Sequence, residues 1–209
     1  MSATDATPKR PFVLCLTGSL GMGKSTAARF FGEAGVPVHD SDAVVHALYE
    51  GEAVALIEHA FPGSASDGKV DRSKLAGFVL NDSGALARLE AIVHPLVGKA
   101  RAEFLAEQAV RGAPVVLLDI PLLFEGGLEC CCDAVVVVST SAEQQRRRVL
   151  DRPGMTEQKF AAILAKQMPD AEKRRRADFI VDSSGDFDRT RAQVRDILHA
   201  VAKMQPRRR

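Results

Sequence analysis

The sequence predicts an α/β fold built on a five-stranded parallel sheet flanked by helices. Short apolar runs alternate along the chain with longer segments of helical period. The first four runs are too apolar for half-exposed strands, which is typical of strands covered by helices on both faces. A chain of 209 residues, 46% of them hydrophobic, is long enough to bury such a sheet. The expected strands are residues 12–17, 36–39, 115–120, 134–139 and 179–181.

Helical periodicity follows most of these strands. Three helices of the sheet region are expected at residues 24–34, 143–151 and 186–202, and Ser141 and Gln144 have capping-box spacing at the start of the second. Between Asp42 and Pro114 no run is typical of a buried strand, so this stretch is expected to be a helical insertion. Its expected helices are residues 43–49, 52–61, 74–79 and 85–108, the last kinked or broken at Pro95.

The composition excludes several classes of protein. Lysine and arginine total 28 against 27 acidic residues, so there is no overall electrostatic attraction to nucleic acid or to an anionic membrane. The longest apolar runs, residues 12–16 and 134–138, are far shorter than the roughly 20 residues that cross a bilayer. The first run also leads into a glycine-rich turn rather than a cleavage site. We therefore expect a cytoplasmic protein with no nucleic-acid or membrane partner.

The four cysteines fit a reducing compartment. Cys15 lies inside an apolar run, while Cys130, Cys131 and Cys132 are consecutive, a spacing that is poor for tetrahedral metal ligation. We expect buried or incidental thiols, with no disulfide framework and no zinc or redox site.

One segment concentrates the positive charge. Residues 146–176 hold ten lysines and arginines against four acidic residues, and the rest of the chain is correspondingly acidic. By base rate, runs such as residues 146–148 and 173–176 are solvated helix faces. However, Arg148 and Arg152 are spaced to share one helix face, which would let both meet the same polyphosphate.

Residues 18–25, with the sequence GSLGMGKS, fit the phosphate-binding pattern G-x-x-x-x-G-K-[ST] between an apolar strand and a helix. Glycines let successive N–H groups face a phosphate, and the helix N-terminus adds partial positive charge. Lys24 is expected to reach the β- and γ-phosphates of ATP, and the Ser25 hydroxyl to bind Mg²⁺. The expected nucleotide-binding residues are Gly18, Gly21, Met22, Gly23, Lys24, Ser25, Thr26 and Arg152. The sequence thus predicts a P-loop site that uses ATP and Mg²⁺.

The reaction class follows from what surrounds this loop. The Asn-Lys-x-Asp signature of guanine recognition is impossible, because the one asparagine, Asn81, is followed by Asp82. A helical insertion after the second strand and an arginine-rich arm after the fourth are instead the layout of small-molecule kinases.

Carboxylates are expected at the carboxyl edge of the sheet. Asp42, after the second strand, would accept or orient a hydroxyl proton; alternatively, Ser41 or Asp42 caps the helix that follows. Asp119 closes a strand as a Walker-B carboxylate would and is expected either to hold a water of the Mg²⁺ shell or to cap local structure.

Over residues 12–202 the chain resembles the dephospho-coenzyme A kinase family. The resemblance rests on six segments in the family's order, residues 16–26, 38–42, 67–72, 89–95, 121–125 and 176–181. It implies a P-loop kinase that phosphorylates the 3′-hydroxyl of the ribose of dephospho-CoA with ATP, the last step of CoA synthesis. It also implies that Asp42 is the base and that Arg148 and Arg152 belong to a lid. Ser183 stands where the family usually carries asparagine, a departure that bears on any side-chain amide contact to adenine.

The resemblance also implies a domain organisation. Residues 11–41, 113–145 and 177–204 would form the nucleotide-binding core, residues 42–112 the CoA-binding acceptor region, and residues 146–176 the lid. The ends, residues 1–10 and 205–209, would be a disordered N-terminus and a basic tail. The expected catalytic residues are Asp42, Lys24 and Arg148, the last offsetting transition-state charge.

Several assignments stay open at this stage. His94 either has a functional role or packs or caps its helix, and Glu125 and Arg72 are possible acceptor contacts. The basic residues of the insertion that suit acidic phosphates are Arg72, Lys74, Lys99 and Arg101. A nucleoside or nucleotide monophosphate kinase shares the same layout. A nucleotide-dependent nucleic-acid-binding or adaptor protein would instead use the basic arm on a phosphodiester backbone.

Overall fold

A computed structural model describes residues 9–207 of the protein. The described residues up to His39 and from Glu107 onward form one unit, and Asp40–Ala106 form a second. The predicted tails are residues 1–10 and 205–209, and most of their residues, namely 1–8 and 208–209, lie outside the described range. Within the described range, no helix is both long enough and apolar enough to span a bilayer.

The secondary structure follows the chain in this order. The strands are β1 (Phe12–Thr17), β2 (Val38–Asp40), β3 (Ala65–Ser66), β4 (Lys69–Val70), β5 (Val115–Asp119), β6 (Ala134–Ser139) and β7 (Phe179–Asp182). The helices are α1 (Lys24–Glu33), α2 (Ser41–Tyr49), α3 (Val54–Ala60), α4 (Arg72–Val79), α5 (Ser83–Val110), α6 (Ala142–Leu150), α7 (Glu157–Leu164), α8 (Asp170–Arg176) and α9 (Phe187–Val201).

The first unit is built on a five-stranded sheet in the order β2-β5-β1-β6-β7. β1 pairs in parallel with β5 and with β6, and β6 pairs in parallel with β7. Every residue of β1 and of β6 is buried, as expected for central strands covered on both faces. The predicted fold class is confirmed.

Helices α1 and α9 cover one part of this sheet. Phe30 and Phe31 of α1 and Val194 and Ile197 of α9 join the sheet side chains in one apolar cluster. Each fully buried side chain of this size contributes about 1.5–3 kcal/mol to folding, so the cluster is a main source of stability for the sheet.

The second unit has its own core under helices α2 to α5. Ile57, Phe61 and Leu75 are almost fully buried in it. The expectation was a kink or a break at Pro95; helix α5 continues through Pro95, so the break is wrong. The small antiparallel hairpin of β3 and β4 was not predicted, although the Asp67-Gly68 dipeptide at its turn, with positive φ at both residues, is a hairpin signal.

The remaining predicted boundaries agree with the structure to within two residues. Ser141 caps α6 as expected, because its Oγ accepts a hydrogen bond from the N–H of Gln144 at 3.2 Å. Helices α7 and α8 lie inside the basic arm, where no separate helices had been placed.

Cys15 and Cys132 are joined by a disulfide, with their Cα atoms 5.6 Å apart. The expectation of four thiols is therefore wrong for this pair. The sequence does not indicate this contact, because 117 positions separate the two cysteines. A short 3₁₀ turn, Leu128–Cys131, brings the chain back to β1. Cys130 is exposed and lies outside the disulfide.

Asp133, directly before β6, links the two ends of the described chain. Its carboxylate accepts hydrogen bonds from both terminal nitrogens of Arg10 and from the N–H of Val13, each at 2.8 Å, and from the N–H of Arg207 at 2.9 Å. Burial alone would raise the pKa of Asp133, but these donors together lower it. The carboxylate therefore stays ionised and holds Arg10 and Arg207 beside the start of β1.

We expect the disulfide to carry a measurable part of the stability. Cys132→Ala should lower the free energy of unfolding in urea by about 3–5 kcal/mol without reductant, because a long loop is no longer closed in the unfolded chain. Cys130→Ala, a matched control at an exposed position, should leave it within about 0.5 kcal/mol. Titration of unreduced, denatured wild-type protein should find two thiols. Four thiols, or equal unfolding energies with and without reductant, would contradict the assignment.

Candidate active site

The loop of residues 18–23 joins β1 to α1 at the carboxyl edge of the sheet. Gly21 has a φ of 79°, and a Cβ there would lie 2.4 Å from Cγ2 of Val149. A Cβ on Gly18 would lie 2.8 Å from the carbonyl oxygen of Val138. Only glycine fits at either position, so the glycine pattern reflects close packing of the loop on α6 and β6.

Lys24, the first residue of α1, points its charge at the end of the neighbouring strand. Its Nζ donates to Oδ1 of Asp119 at 2.5 Å. Asp119 ends β5 opposite Leu16 of β1, so the parallel register brings the carboxylate to the same edge as the loop. Asp119 is only 4% exposed, and its carboxylate lies in contact with Lys24 at the loop site.

The other expected residues of the loop region occupy distinct environments. Ser25 is exposed in the first turn of α1, and Thr26 follows it at the edge of a cavity. Met22 is 2% exposed, and its Sδ accepts a hydrogen bond from the N–H of Thr140. The first turn of α1 contains no acidic residue, so its N-terminal N–H groups keep their positive potential.

A cavity of about 280 Å³ opens beside this loop. Gly21, Gly23, Arg148 and Arg152 are among the residues that line it. Helix α6 ends at Leu150, so the expected shared helix face of the two arginines is wrong. Arg152 reaches the cavity from the turn that follows the helix, in which its N–H donates to the carbonyl of Val149.

Arg148 is held against the loop by Ser183, which follows β7. One terminal nitrogen of Arg148 donates to Ser183 Oγ at 2.9 Å and the other to the Ser183 carbonyl at 2.7 Å. Ser183 Oγ in turn donates to the carbonyl of Met22 at 2.7 Å. Serine stands here in place of the family's usual asparagine, and its hydroxyl bonds both to the loop and to Arg148.

Two glutamines that the sequence did not single out also contact the loop. Nε2 of Gln145 donates to the Leu20 carbonyl at 2.7 Å, and the Leu20 N–H donates to Oε1 of Gln167 at 3.1 Å. No sequence signal marks them, because a side-chain amide on a helix or in a turn is usually a surface residue.

In the second unit, Asp42 lies in the first turn of α2. The cap of α2 is Asp40, whose Oδ1 accepts from the N–H groups of Asp42 at 2.9 Å and Ala43 at 3.1 Å. The expectation that Ser41 or Asp42 caps the helix is therefore wrong, because the helix begins earlier than predicted. The Asp42 carboxylate is exposed and accepts no hydrogen bond from the residues described.

A cavity of about 580 Å³ lies within the second unit beside Asp42. Apolar side chains such as Val45 and Leu75 line it together with Arg72 and Tyr49. The Arg72 guanidinium lies over the Tyr49 ring, 5.4 Å from its centroid. Burial raises the pKa of Tyr49, although the charge of Arg72 opposes the shift. The site therefore combines an apolar surface with a fixed positive charge.

Glu125 is engaged inside the first unit. Its carboxylate forms an ion pair with Nζ of Lys173 at 2.9 Å and accepts from the N–H of Met168 at 2.8 Å. Burial would raise the pKa of Glu125, but these donors lower it overall. Lys173 is fully buried, so this member of the basic run is not part of a solvated face.

Other charges of the arm also have acidic partners. Arg146 pairs with Glu157, and Arg176 with Glu129. Val149 of α6 is fully buried and Phe160 of α7 is 7% exposed. Part of the arm therefore packs as ordinary protein interior. Among the residues that the structure covers, no group of three histidine, cysteine or acidic side chains is arranged to hold a metal.

Comparison with known proteins identifies related chains. The sequence profile of the dephospho-CoA kinase family (CoaE) matches residues 12–189. A dephospho-CoA kinase of Rhodopseudomonas palustris (strain HaA2) is 61% identical over 197 residues, which is 94% of this chain and 98% of that protein. A dephospho-CoA kinase of Nitrobacter winogradskyi is 59% identical with the same coverage. The crystal structure of TT1252 from Thermus thermophilus has a TM-score of 0.81 at 34% identity, covering 92% of this chain and 98% of that chain.

We expect the ion pair of Glu125 and Lys173 to be structural. Glu125→Gln should lower the free energy of unfolding by about 3 kcal/mol, because it leaves a buried ammonium without its counter-charge. The double variant Glu125→Gln with Lys173→Met should recover most of the lost free energy of unfolding. The control Glu172→Gln, in the more exposed pair with Arg175, should change the free energy of unfolding little.

The same pair predicts a pH dependence. The pKa of Glu125 is lower in the folded protein than its value of about 4.3 in the unfolded chain. Ionised Glu125 therefore stabilises the folded protein above about pH 4.3, and this stabilisation is lost as the pH falls through the folded-state pKa. The gap between wild type and Glu125→Gln should therefore narrow below about pH 4. Denaturant titrations at several pH values measure this, and a gap independent of pH would speak against the assignment.

Proposed function

The chain belongs to the dephospho-CoA kinase family, and on that basis we propose that it transfers the γ-phosphoryl group of ATP to the 3′-hydroxyl of the ribose of dephospho-CoA. The products are CoA and ADP, and the reaction is the last step of CoA biosynthesis. The observation that carries the proposal is the glycine loop between β1 and α1, with Lys24 at the start of the helix. A cytoplasmic setting is part of the proposal, since ATP is the co-substrate.

The nucleotide-binding residues act mainly through position and charge. In this proposal, the N–H groups of Gly21 and Gly23 in the loop, and of Ser25 at the start of α1, surround the phosphates. Lys24 turns its ammonium from Asp119 to the β- and γ-phosphates. Arg148 offsets negative charge as it spreads over the transferring group. Arg152 contacts the nucleotide from the turn after α6.

Mg²⁺ is the metal that this proposal includes, and the donors near the loop fit it. Ser25 offers a hydroxyl and Asp119 a carboxylate, which are oxygen ligands of the kind Mg²⁺ takes while it keeps several waters. When bound, the ion would neutralise charge on the β- and γ-phosphates. The chain's own part is to hold Ser25 at the helix start and Asp119 at the end of β5.

The acceptor is assigned to residues 42–112, most of which belong to the second unit, Asp40–Ala106. The apolar surface of its cavity suits the pantetheine chain of dephospho-CoA, and Arg72 suits its phosphates. Asp42 takes the proton of the 3′-hydroxyl while that oxygen forms a bond to the γ-phosphorus. The bond from phosphorus to the bridging oxygen breaks, and ADP leaves with that electron pair.

The alternatives are less well supported. A nucleoside or nucleotide monophosphate kinase would need a base-reading pocket for the acceptor, whereas the cavity beside Asp42 is lined mainly by aliphatic side chains. A nucleic-acid-binding role would use the arm of residues 146–176, yet several of its charges are paired within the chain. We propose that this arm is the lid over ATP.

A panel of acceptors tests the proposal. With ATP and Mg²⁺, dephospho-CoA should be turned over with a kcat/KM about 10³-fold above AMP, CMP or adenosine, because binding of the pantetheine chain positions the hydroxyl. ADP release and the mass of each product measure this. Lys24→Ala protein, purified in parallel, controls for contaminating kinases. Comparable turnover of a monophosphate would reject dephospho-CoA as the substrate.

The role of Asp42 can be separated from helix capping by one substitution. Asp42→Asn should lower kcat by about 10²- to 10⁴-fold, because the amide keeps the shape but accepts no proton. The melting temperature should stay near that of wild type, since Asp40 is the cap. Asp188→Asn is the matched control, because Asp188 also lies two residues after a capping aspartate. If Asp42→Asn keeps more than a tenth of kcat, the base is another residue.

A further inference from the structure

Two peptide carbonyls of the glycine loop are held by side chains from distant parts of the chain. The Leu20 carbonyl accepts from Nε2 of Gln145 in α6, and the Met22 carbonyl accepts from Oγ of Ser183 after β7, each at 2.7 Å. The donors lie 125 and 161 positions away in sequence. Gln145 is 5% exposed and Ser183 is 7% exposed; the hydrogen bond of Ser183 is buried and that of Gln145 is part-buried.

These bonds also orient the next N–H group along the loop. A trans peptide is planar, and its carbonyl and N–H point in opposite directions. The peptide bonds of the described residues are all trans, so fixing the Leu20 carbonyl aims the Gly21 N–H away from α6. In the same way, fixing the Met22 carbonyl aims the Gly23 N–H away from Ser183.

The two N–H groups oriented in this way are available to a ligand. Neither Gly21 nor Gly23 donates a main-chain hydrogen bond to any residue that the structure describes. Both glycines line the cavity of about 280 Å³ beside the loop. Two N–H groups at alternate positions of one loop, both without a main-chain acceptor among the described residues, form the kind of concavity that binds anions.

The glycines cannot supply this orientation by themselves. Gly21 and Gly23 have φ values of 79° and 88°, and a glycine reaches mirror-image conformations at little cost. The peptides on either side would therefore rotate readily without outside restraint. The Leu20 N–H is itself held by Gln167, which restrains the preceding peptide as well.

We propose that Gln145 and Ser183 are positioning residues that hold the Gly21 and Gly23 N–H groups toward the polyphosphate of the nucleotide before it binds. The inference rests on the proposed function in one respect, namely that this loop binds ATP. Neither side chain touches the phosphates in this account. Each acts by holding a loop carbonyl. Binding of the anion is then stronger, because the loop does not have to be ordered when the anion binds.

The test measures affinity for inorganic tripolyphosphate by calorimetry at 10 °C, well below melting. Gln145→Met removes the donor and keeps the buried length of the side chain, and Ser183→Ala removes the hydroxyl. Each should weaken binding by about fivefold to tenfold, the effect of one lost hydrogen bond. ATP affinity should fall by the same factor, because the base is not involved. Partial unfolding would also weaken both ligands by one factor, so the melting temperature of each variant is measured in parallel and must stay well above 10 °C.

Matched controls are available for both substitutions. Gln158→Met, at an exposed position of α7, and Ser184→Ala, at the exposed neighbour of Ser183, should leave the affinity unchanged. Ser183→Ala also removes one of the two hydrogen bonds of Arg148, so Gln145→Met, which leaves both in place, is the decisive variant. Gln145→Leu replaces it if the methionine variant does not fold.

The outcomes separate this inference from the proposed function. Wild-type affinity in Gln145→Met or Gln145→Leu, with dephospho-CoA still phosphorylated by wild type, overturns the positioning role alone. A wild-type protein that binds neither tripolyphosphate nor ATP overturns both. Loss of ATP affinity without loss of tripolyphosphate affinity also counts against the inference, because it would place the effect at the base.

Discussion

The parallel pairing of β1 with β5 on one side and β6 on the other is the constraint on which the first unit depends. All residues of β1 are buried, so a shift in register by one position would move a whole set of apolar side chains out of their packing. The same register places Asp119 opposite Leu16 at the carboxyl edge. Because α1 starts from the loop at that edge, Lys24 meets a carboxylate that the sheet has already positioned.

The loop conformation is a product of tertiary structure as much as of its own sequence. Its glycines permit the turn, but α6, the segment after β7 and the turn before α8 supply the side chains that contact Leu20 and Met22. Those segments come from the last third of the chain. A local motif that is visible in eight residues therefore reaches its final geometry only when the sheet and the arm are assembled.

Much of the fold was predictable because its signals are local. Apolar runs marked the strands, and the glycine pattern together with Lys24 marked the loop. Pairings between distant residues have no local sequence signal. The disulfide of Cys15 and Cys132 and the ion pair of Glu125 and Lys173 are examples. Ser41 and Asp42 were the expected caps of α2, but the helix begins two residues earlier than predicted, so that Asp40 is the cap. The roles of Asp42 and Arg148 in the reaction stay predictions.

The contact that Asp133 organises brings the two ends of the described chain together. A terminal nitrogen of Arg10 donates to the carbonyl of Arg207 at 2.6 Å, next to the shared carboxylate. This junction lies beside the start of β1, at the edge of the sheet opposite the glycine loop. The first unit is therefore suited to circular permutation: a short linker across the junction would leave every strand pairing intact, and new ends could be opened in a surface turn.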